Sequence, residues 1–571
     1  MAAALPRCAL CGHINMDKLQ EFDLLKSPLQ GTNLIEASAG TGKTYAITAL
    51  FLRLILEKAL FVDQILVVTY TVAATEELRD RIRRKLREAI AAFSSGQSKD
   101  QFLIDLVRKI PDRKEAVARL QVALHDFDEA PIFTIHGFCQ RTLHERAFES
   151  GSLFDTELST DPQSILEEIV NDFWRRHFYQ APPELVIYAQ NKKYSPGYFL
   201  DLLKRKTPGQ NPQVIPESGP VEMNSLKTFR RGFERLKETW PGVRPAVLEK
   251  LSDPALKYYG NPEKLIGLMD KYTAAQWPAL PLFEKFEKFT TATLAESTKK
   301  KQITPQHPFF DLCQEFQGTS AALSSEMDRY LLFLKAEIFR YLEKELPARK
   351  QKKNIQFFDD LLTRLASSLQ KAGGEDLVKA IQNRYQAALI DEFQDTDPVQ
   401  YAIFHSVFAG EDSILFLIGD PKQAIYSFRG ADLFAYLKAA AHVGSRYTLR
   451  HNWRSEPGLI RAVNEIFSRG QKPFVYDEIS FQQAGFREHP QDTLRIGGRS
   501  EPPFRLWFLE GDADKPLSKE RAREPISRAV AAEISRLIDL GRQGKAIIGD
   551  HPVREEDIAV LVRMNDEASH I

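Results

Sequence analysis

Residues 33–44 contain a short apolar segment, a glycine-rich turn and the start of a helical pattern, and this order constrains the fold of the chain most strongly. The segment 33–35 has the character of a buried parallel strand, and apolar side chains recur at helical spacing after Thr44. A strand, a turn and a helix in this order predict an α/β fold with a phosphate-binding loop. The turn reads Ala37-Ser38-Ala39-Gly40-Thr41-Gly42-Lys43-Thr44.

The residue types in this turn suit the phosphates of ATP and a magnesium ion. Gly40 and Gly42 let the backbone curl so that its N–H groups and the positive end of the following helix face phosphate oxygens. We expect Lys43 to reach the β- and γ-phosphates and Thr44 to bind Mg²⁺ through its hydroxyl. The strict pattern has glycine where this chain has Ala37, and a small residue fits there if its φ is negative. A turn that contains two glycines by chance stays the alternative.

A second apolar segment, residues 387–390, leads directly into Asp391 and Glu392. A carboxylate at the end of such a strand can hold Mg²⁺ through water, and we assign this role to Asp391. Its neighbour Glu392 is expected to orient and deprotonate the attacking water, while Gln394 contacts either the γ-phosphate or that water. Taken alone, the segment fits equally well a strand followed by a capped acidic helix that begins near Val399.

A third apolar segment, residues 414–418, precedes a polar loop with further candidates. Gln423 lies just beyond the end of this segment, where its amide can sense the γ-phosphate. Tyr426 and Phe428 offer ring faces on which unstacked bases can lie, a contact worth about 1–3 kcal/mol per base. Further along, Arg454 lies where a second domain would complete the ATP site.

Taken together and in order, these segments resemble the superfamily 1 helicases of the UvrD type. The spellings Pro421-Lys422-Gln423-Ala424 and Asn452-Trp453 favour the RecB family, the beta subunits of exodeoxyribonuclease V, over the related AddA family of helicase–nuclease subunits. The segments that carry the resemblance are EASAGTGKT (36–44), TIHGFCQR (134–141), DEFQDTDPVQY (391–401), GDPKQAIYSFRGAD (419–432) and NWRS (452–455).

The resemblance implies an ATP-dependent DNA helicase with 3′→5′ polarity that acts in double-strand-break repair and recombination. It implies ATP and Mg²⁺ as cofactors, single-stranded and duplex DNA as ligands, and RecC- and RecD-like subunits as partners in a heterotrimer. Two alternatives stay open: an AddA-type subunit, and a scaffold that binds DNA or partner subunits with little hydrolysis. The implied contacts with single strands are Thr69, Tyr70, Thr134, His136 and Phe138, together with Tyr426 and Phe428.

The same resemblance implies a RecA-like P-loop NTPase domain that a large helical insertion interrupts, followed by an incomplete second RecA-like domain. Helical spacing of apolar side chains around residues 330–342 predicts a helix within the insertion. Near the end of the chain, a helix is expected around residues 526–538 and a strand over residues 558–562. The implied divisions are a disordered extension (1–15), the first part of RecA-like domain 1A (16–145), helical domain 1B (146–370), the second part of domain 1A (371–448) and the start of domain 2A (449–571).

The remaining motor motifs of the family and its nuclease domain are not found within these 571 residues. A motor of this type needs two RecA-like halves, and loss of an arginine finger typically costs about 10³–10⁵ in rate. We therefore expect the 571-residue chain alone to bind ATP and single strands but to hydrolyse ATP and unwind DNA poorly.

Charge and cysteine content restrict the remaining possibilities. Seventy-seven basic and seventy-seven acidic residues give no net charge, which argues against a chain that grips DNA by its overall field but permits a local positive channel. No apolar run approaches the length of about 18 residues that a membrane span needs, and four cysteines fit a reducing cytoplasm. Cys8 and Cys11 form a single CxxC pair, which is weak support for a zinc site.

Overall fold

The chain forms two compact units, one of which interrupts the other in the sequence. The first unit combines Met1–Ser152 with Leu361–Ile571, and the second is the intervening stretch Leu153–Asp360. The predicted borders of the helical insertion, 146 and 370, stay predictions. The computed structural model describes residues 19–146, 157–159, 161–204, 215, 219–257, 261–410, 413–425, 432–470, 473–474, 476–486, 493–511 and 516–571.

A parallel β-sheet forms the centre of the first unit. Its strands are β1 (Gln20–Glu21), β2 (Gly31–Ala37), β3 (Ile65–Thr69), β4 (Ile132–Thr134), β7 (Ala387–Ile390), β8 (Ile414–Gly419) and β9 (Ser445–Leu449), while β5 (Glu157–Leu158) and β6 (Ile355–Gln356) pair with each other in the second unit. The seven strands of the central sheet pair in the order β1-β9-β2-β8-β7-β3-β4. Every neighbouring pair in this sheet runs parallel.

Burial of the central strands explains their sequences. All residues of β3, β7 and β8 are buried. Parallel sheets are covered by helices on both faces, so their strands are continuous apolar runs without polar alternation. The strands predicted within residues 33–35, 387–390 and 414–418 are confirmed, and so is the α/β fold.

The first five helices belong to the same unit and begin with the one that follows the glycine-rich turn. They are α1 (Lys43–Glu57), α2 (Val72–Ser95), α3 (Gln101–Lys109), α4 (Arg113–His125) and α5 (Ile135–Glu145). In α1 the side chains of Ile47, Leu50 and Leu54 are fully buried in the core. Their spacing of three and four residues is the helical pattern that the sequence predicts after Thr44, and that helix is confirmed.

The described residues of the second unit are mainly helical. Its helices are α6 (Pro162–Phe178), α7 (Pro183–Asn191), α8 (Pro196–Lys204), α9 (Ser225–Leu251), α10 (Pro262–Ala274), α11 (Thr291–Ser297) and α12 (Pro308–Lys353). The predicted helix around residues 330–342 lies inside α12, which is 46 residues long. A fully buried Glu184 carboxylate is held by Arg230, whose Nε and Nη2 atoms donate to its two oxygens at 2.7 and 2.8 Å.

Four further helices follow along the chain, and one of them begins beside the acidic strand. They are α13 (Phe358–Gln370), α14 (Gly374–Arg384), α15 (Pro398–Phe408) and α16 (Leu433–His442). The Asp397 carboxylate accepts from the Val399 and Gln400 N–H groups at 2.7 and 2.8 Å and caps α15. Proline at the first helical position completes this start, which lies one residue from the predicted one.

The region after residue 450 has a different architecture. Its elements are β10 (His451–Asn452), α17 (Pro457–Ser468), β11 (Gly485–Phe486), β12 (Leu494–Ile496), β13 (Arg499–Ser500), α18 (Lys519–Arg542), β14 (Ala546–Ile548), β15 (His551–Pro552) and α19 (Asn565–His570). The last four strands form an antiparallel sheet in the order β13-β12-β14-β15. The helix predicted around residues 526–538 lies within α18 and is confirmed.

The strand predicted over residues 558–562 is wrong. These residues have no regular secondary structure, and the Leu561 side chain is fully exposed. An apolar run becomes a buried parallel strand only between neighbouring strands, and this segment pairs with none among the residues that the structure describes. Among the described helices, none combines the length and apolar character needed to cross a bilayer.

Candidate nucleotide site and nucleic-acid contacts

The carboxyl ends of three neighbouring strands bring the predicted nucleotide residues to one edge of the central sheet. β2 ends at Ala37, at the start of the glycine-rich turn, while β7 and β8 end at Ile390 and Gly419. Because β8 lies between β2 and β7 and all three run parallel, the segments that follow them emerge side by side. Ligands of open parallel sheets bind at this edge.

The glycine-rich turn has a backbone that only glycine adopts readily at two positions. Gly40 and Gly42 have φ of 77° and 94°, in the left-handed region. The Thr41 hydroxyl donates to the Ser38 carbonyl oxygen at 2.8 Å and closes the turn. Gly42 directly precedes α1, so the unpaired N–H groups of the first helical turn open toward this loop. Ala37 is a buried strand residue, which explains why this position does not need glycine.

Asn452 holds this turn in place, a role that its place in the NWRS segment does not indicate. Its Nδ2 atom donates to the Ala39 carbonyl oxygen at 2.8 Å, and the Trp453 N–H donates to the Gly40 carbonyl oxygen at 2.8 Å. Its Oδ1 atom accepts from the N–H groups of Arg454 and Ser455, both at 2.9 Å. One feature of the sequence could have indicated this role: Asn452 stands two residues before Arg454. Asparagine side chains commonly hydrogen-bond the backbone two residues ahead.

A direct ion pair joins the turn to the acidic strand. Lys43 Nζ donates to Glu392 Oε2 at 2.7 Å, although the two residues are 349 positions apart. Glu392 has φ of 49°, a left-handed conformation that is uncommon for a residue other than glycine. Strained backbone of this kind clusters at functional sites, where the surrounding structure holds it.

Two carboxyl groups near this pair have perturbed proton affinities. Burial raises the pKa of Asp391 to about 6, and the adjacent negative charge of Glu392 adds to the effect. Burial and the Glu392 charge likewise raise the pKa of Asp395 to about 6. Asp391 is nevertheless positioned firmly, since its N–H donates to the Val68 carbonyl oxygen at 2.8 Å and its Oδ1 atom accepts from the Glu392 N–H at 2.9 Å. A cation at this edge of the sheet would relieve the unfavourable burial of negative charge.

We expect Asp391→Asn to raise the free energy of unfolding at pH 8, in the absence of Mg²⁺, by about 2–3 kcal/mol. A carboxyl whose pKa is raised on folding destabilises the folded state once it is ionised. This penalty is therefore absent at a pH below the pKa of Asp391 in the unfolded chain. It grows as the pH rises and is complete above the pKa of about 6 that Asp391 has in the folded protein. Chemical denaturation at pH 4 and pH 8 measures it. The matched control is Asp201→Asn, because Asp201 is exposed. An equal gain in the free energy of unfolding of Asp391→Asn at both pH values would contradict the raised pKa of Asp391.

The other residues predicted to contact the nucleotide differ in exposure and in their hydrogen-bond partners. Gln394 is only 3% exposed, and both ends of its amide are engaged by protein groups. Gln423 is half-buried, and its Nε2 atom donates to Asp420 Oδ2 at 2.7 Å. Arg454 has an exposed side chain, while its Cβ atom would lie 2.8 Å from a Cβ placed on Gly40. The structure therefore brings the Arg454 backbone against the glycine-rich turn.

A large cavity opens beside the turn in the first unit. It has a volume of about 1290 Å³, and its lining includes Thr41, Gly42, Tyr45, Phe22 and Trp453. Ligand pockets of small molecules usually enclose about 300–1,000 Å³, so the space accommodates a nucleoside next to the phosphate-binding turn. One wall is fixed because the Tyr45 hydroxyl donates to Asp100 Oδ1 at 2.6 Å.

Two of the predicted DNA contacts have buried side chains in this structure. Phe138 is fully buried and stacks on Phe404 with ring centroids 6.1 Å apart, so it has no free face for a base. Thr69 is 2% exposed, and its hydroxyl lies 2.8 Å from the Thr75 hydroxyl and 3.1 Å from the Thr71 carbonyl oxygen. Both residues match a family motif, but their side chains point into the core of this unit.

The remaining DNA candidates keep some exposure or lie outside the described residues. Tyr70, Thr134 and His136 are each half-buried. The Thr134 hydroxyl accepts from the Gly137 N–H at 3.2 Å and caps α5, which gives it a structural role as well. Tyr426 and Phe428 lie outside the described residues, as do Cys8 and Cys11.

Comparisons with known proteins identify the family of the chain. The UvrD/REP helicase N-terminal domain family matches residues 18–444. The chain is 36% identical to the RecBCD enzyme subunit RecB of Escherichia coli over 97% of its own length and 48% of that relative. For the subunit of the same name from Haemophilus influenzae, the identity is 35% over 95% of this chain and 48% of the relative.

A more distant relative gives the same picture. The RecBCD enzyme subunit RecB of Mycobacterium tuberculosis H37Rv is 28% identical over 96% of this chain and 40% of its own length. The chain spans about half the length of the relatives from Escherichia coli and Haemophilus influenzae. The resemblance to RecB that the sequence motifs indicate is confirmed. Since the family match covers most of the chain, the protein belongs to the UvrD/REP helicase family.

Proposed function

We propose that this chain is the ATP-hydrolysing motor part of a RecB-like DNA helicase that moves 3′→5′ in double-strand-break repair and recombination. One observation carries the proposal above all others. Lys43 Nζ lies 2.7 Å from Glu392 Oε2, so the phosphate-binding turn and the acidic pair form one site at the carboxyl edge of a parallel sheet. That geometry suits a triphosphate held between a lysine and a general base.

The residues of this site fit ATP and Mg²⁺ by their chemistry. The Thr44 hydroxyl and the Asp391 carboxylate are oxygen donors of the kind that Mg²⁺ prefers. The raised pKa of Asp391 is the signature of a buried carboxylate that a cation would stabilise. Mg²⁺ would neutralise the charge that develops on the β- and γ-phosphate oxygens. We assign Gln423 and Arg454 to the γ-phosphate side of the site.

Glu392 changes partners in the proposed reaction. In the structure its Oε2 atom accepts from Lys43. Phosphate oxygens that bind to the Lys43 ammonium compete with Glu392 for that partner, which leaves the carboxylate available to accept a proton from the attacking water. The same lysine thus holds the base in place and then stabilises the transferred phosphate.

DNA and partner subunits complete the proposal. We infer that single-stranded DNA contacts Tyr70 and His136, and that Tyr426 and Phe428 stack on bases. Duplex DNA is proposed to meet the helical unit, Leu153–Asp360. The relatives are named as subunits of the RecBCD enzyme, which supports RecC- and RecD-like partners for this protein. We also propose a cytoplasmic location, which the four cysteines fit.

The test is the ATP hydrolysis rate of the native protein, purified with the subunits that accompany it, with and without single-stranded DNA. We expect strong stimulation by DNA and its loss in Lys43→Ala. Tight DNA binding without any stimulated hydrolysis would contradict the motor and favour a scaffold. Directional unwinding of duplexes with a single-stranded tail on one end then tests the 3′→5′ polarity.

A further inference from the structure

Gln394 is buried where two segments of the site meet. It lies in the short turn Phe393–Asp395 after β7, and its side chain is only 3% exposed. Its neighbour across the sheet edge is the end of β8. A Cβ atom placed on Gly419 would lie 2.6 Å from Gln394 Oε1 and 3.0 Å from the Gln394 backbone nitrogen, so only glycine permits this approach.

The amide nitrogen of Gln394 serves the proposed general base. Gln394 Nε2 donates to Glu392 Oε2 at 2.7 Å, and it lies 3.4 Å from Asp395 Oδ2. The same Glu392 oxygen accepts from Lys43 Nζ at 2.7 Å. One carboxylate oxygen therefore has two donors, one on the glycine-rich turn and one on the buried amide.

The amide oxygen of Gln394 serves the segment that carries Gln423. Gln394 Oε1 accepts from the Asp420 N–H at 2.9 Å. The Asp420 carboxylate accepts from Gln423 Nε2 at 2.7 Å and pairs with Lys422 Nζ at 2.7 Å. A continuous set of hydrogen bonds thus runs from Lys43 through Glu392, Gln394 and Asp420 to Gln423.

We propose that Gln394 is a positioning residue that fixes the Glu392 carboxylate relative to the turn bearing Gln423, and that it does not bind the nucleotide itself. The inference rests on the proposed function, because it assigns Glu392 and Gln423 to the γ-phosphate side. It replaces the expectation that Gln394 contacts the γ-phosphate or the attacking water. The two N–H groups of Gln394 Nε2 are directed at Glu392 Oε2 and Asp395 Oδ2, so the amide has no donor left to aim at a ligand.

The role becomes important when Lys43 engages phosphate. Glu392 then loses one of the two donors on its Oε2 atom and keeps Gln394 as the other. Its backbone has φ of 49°, a left-handed conformation that costs free energy in a residue other than glycine. Since misplacement of a catalytic group by about 1 Å costs about 100-fold in rate, one retained hydrogen bond has a measurable consequence.

Gln394→Glu tests the hydrogen bond to Glu392 separately from the hydrogen bond to the Asp420 N–H. It keeps an oxygen that accepts from the Asp420 N–H, and it replaces the donor to Glu392 with a second carboxylate. We expect kcat for ATP hydrolysis by the native protein to fall about 100-fold, with the KM for ATP within about threefold of the wild-type value. Gln394→Met, which lacks both polar atoms without adding charge, is expected to show the same split.

The matched control is Gln382→Glu in the same unit. Gln382 Nε2 donates to the Val407 carbonyl oxygen at 2.6 Å, so this variant removes a comparable donor away from the site. We expect its kcat to match the wild type. Unchanged kcat in both Gln394 variants would overturn the proposal, and so would a rise in KM without loss of kcat, which indicates direct nucleotide contact. Lys43→Ala, measured in parallel, reports separately on the nucleotide site: normal hydrolysis there would refute the proposed function itself.

Discussion

Glu392→Gln is expected to block ATP hydrolysis while leaving ATP binding intact. The amide has the size of the carboxylate, and its oxygen can still accept from Lys43 and Gln394, which lie 2.7 Å from Glu392 Oε2. It cannot take a proton from the attacking water at neutral pH. Loss of a general base typically lowers the rate by about 10²–10⁴-fold. Steady-state hydrolysis and the affinity for a fluorescent ATP analogue measure the two quantities separately.

The matched control for this variant is Glu115→Gln. Glu115 also accepts from a cationic side chain, Arg119, but it lies on α4. Its replacement should leave both hydrolysis and binding unchanged. If Glu392→Gln instead weakened ATP binding as much as it slowed hydrolysis, Glu392 would be a binding residue, and the role of general base would have to be withdrawn.

Lys43→Ala is expected to abolish productive ATP binding. Lys43 is the one positively charged residue of the glycine-rich turn, and it stands at the first position of α1. The N-terminus of a helix favours phosphate oxygens. Charge-assisted contacts are about twice as strong as neutral ones, and removal of this one should weaken binding by about 100-fold. Titration with the fluorescent analogue in the presence of Mg²⁺ gives the dissociation constant.

Lys109→Ala is the control that shows whether weaker ATP binding in Lys43→Ala results merely from the loss of a lysine–carboxylate ion pair. Lys109 Nζ lies 2.9 Å from Glu57 Oε1 on the same unit, so its removal also breaks an ion pair with α1. ATP affinity should stay at the wild-type value in this control. Wild-type affinity in Lys43→Ala would show that the triphosphate is bound elsewhere.

The sequence predicted those elements whose local residue pattern matches their surroundings in the folded protein. The strand at residues 387–390 is apolar because a parallel sheet covers it on both faces, and it has the bounds that the sequence indicates. The glycine-rich turn was predictable because Gly40 and Gly42 supply left-handed backbone that other residues resist. The apolar run 558–562 shows the limit of this reasoning, since a strand also needs neighbours.

The rest of the site depends on contacts between residues far apart in the chain. Asn452 reaches Ala39 across 413 positions, and no local pattern encodes that hydrogen bond. Phe138 follows a family motif that suggests exposure, yet it stacks on Phe404 in the core. Gln394 was assigned to the nucleotide because of its place beside Glu392. Only the structure shows that its second partner is Asp420, on the neighbouring strand end.

The site combines features that oppose folding with a geometry that suits catalysis. Asp391 is half-buried and its pKa is raised, and Glu392 adopts a left-handed conformation. The ionised Asp391 carboxylate destabilises the folded state, and this penalty is reduced when a cation binds beside it. Stability measured against Mg²⁺ and nucleotide concentration therefore reports on the same residues as the kinetics.

The most direct test is a structure determined with Mg²⁺ and a non-hydrolysable ATP analogue. We expect the triphosphate between the Gly40–Thr44 turn and the Asp391–Glu392 pair, with Lys43 moved from Glu392 to the β- and γ-phosphates and Gln394 still donating to Glu392. A ligand bound elsewhere, or a Lys43–Glu392 pair that stays intact beside the bound triphosphate, would contradict it.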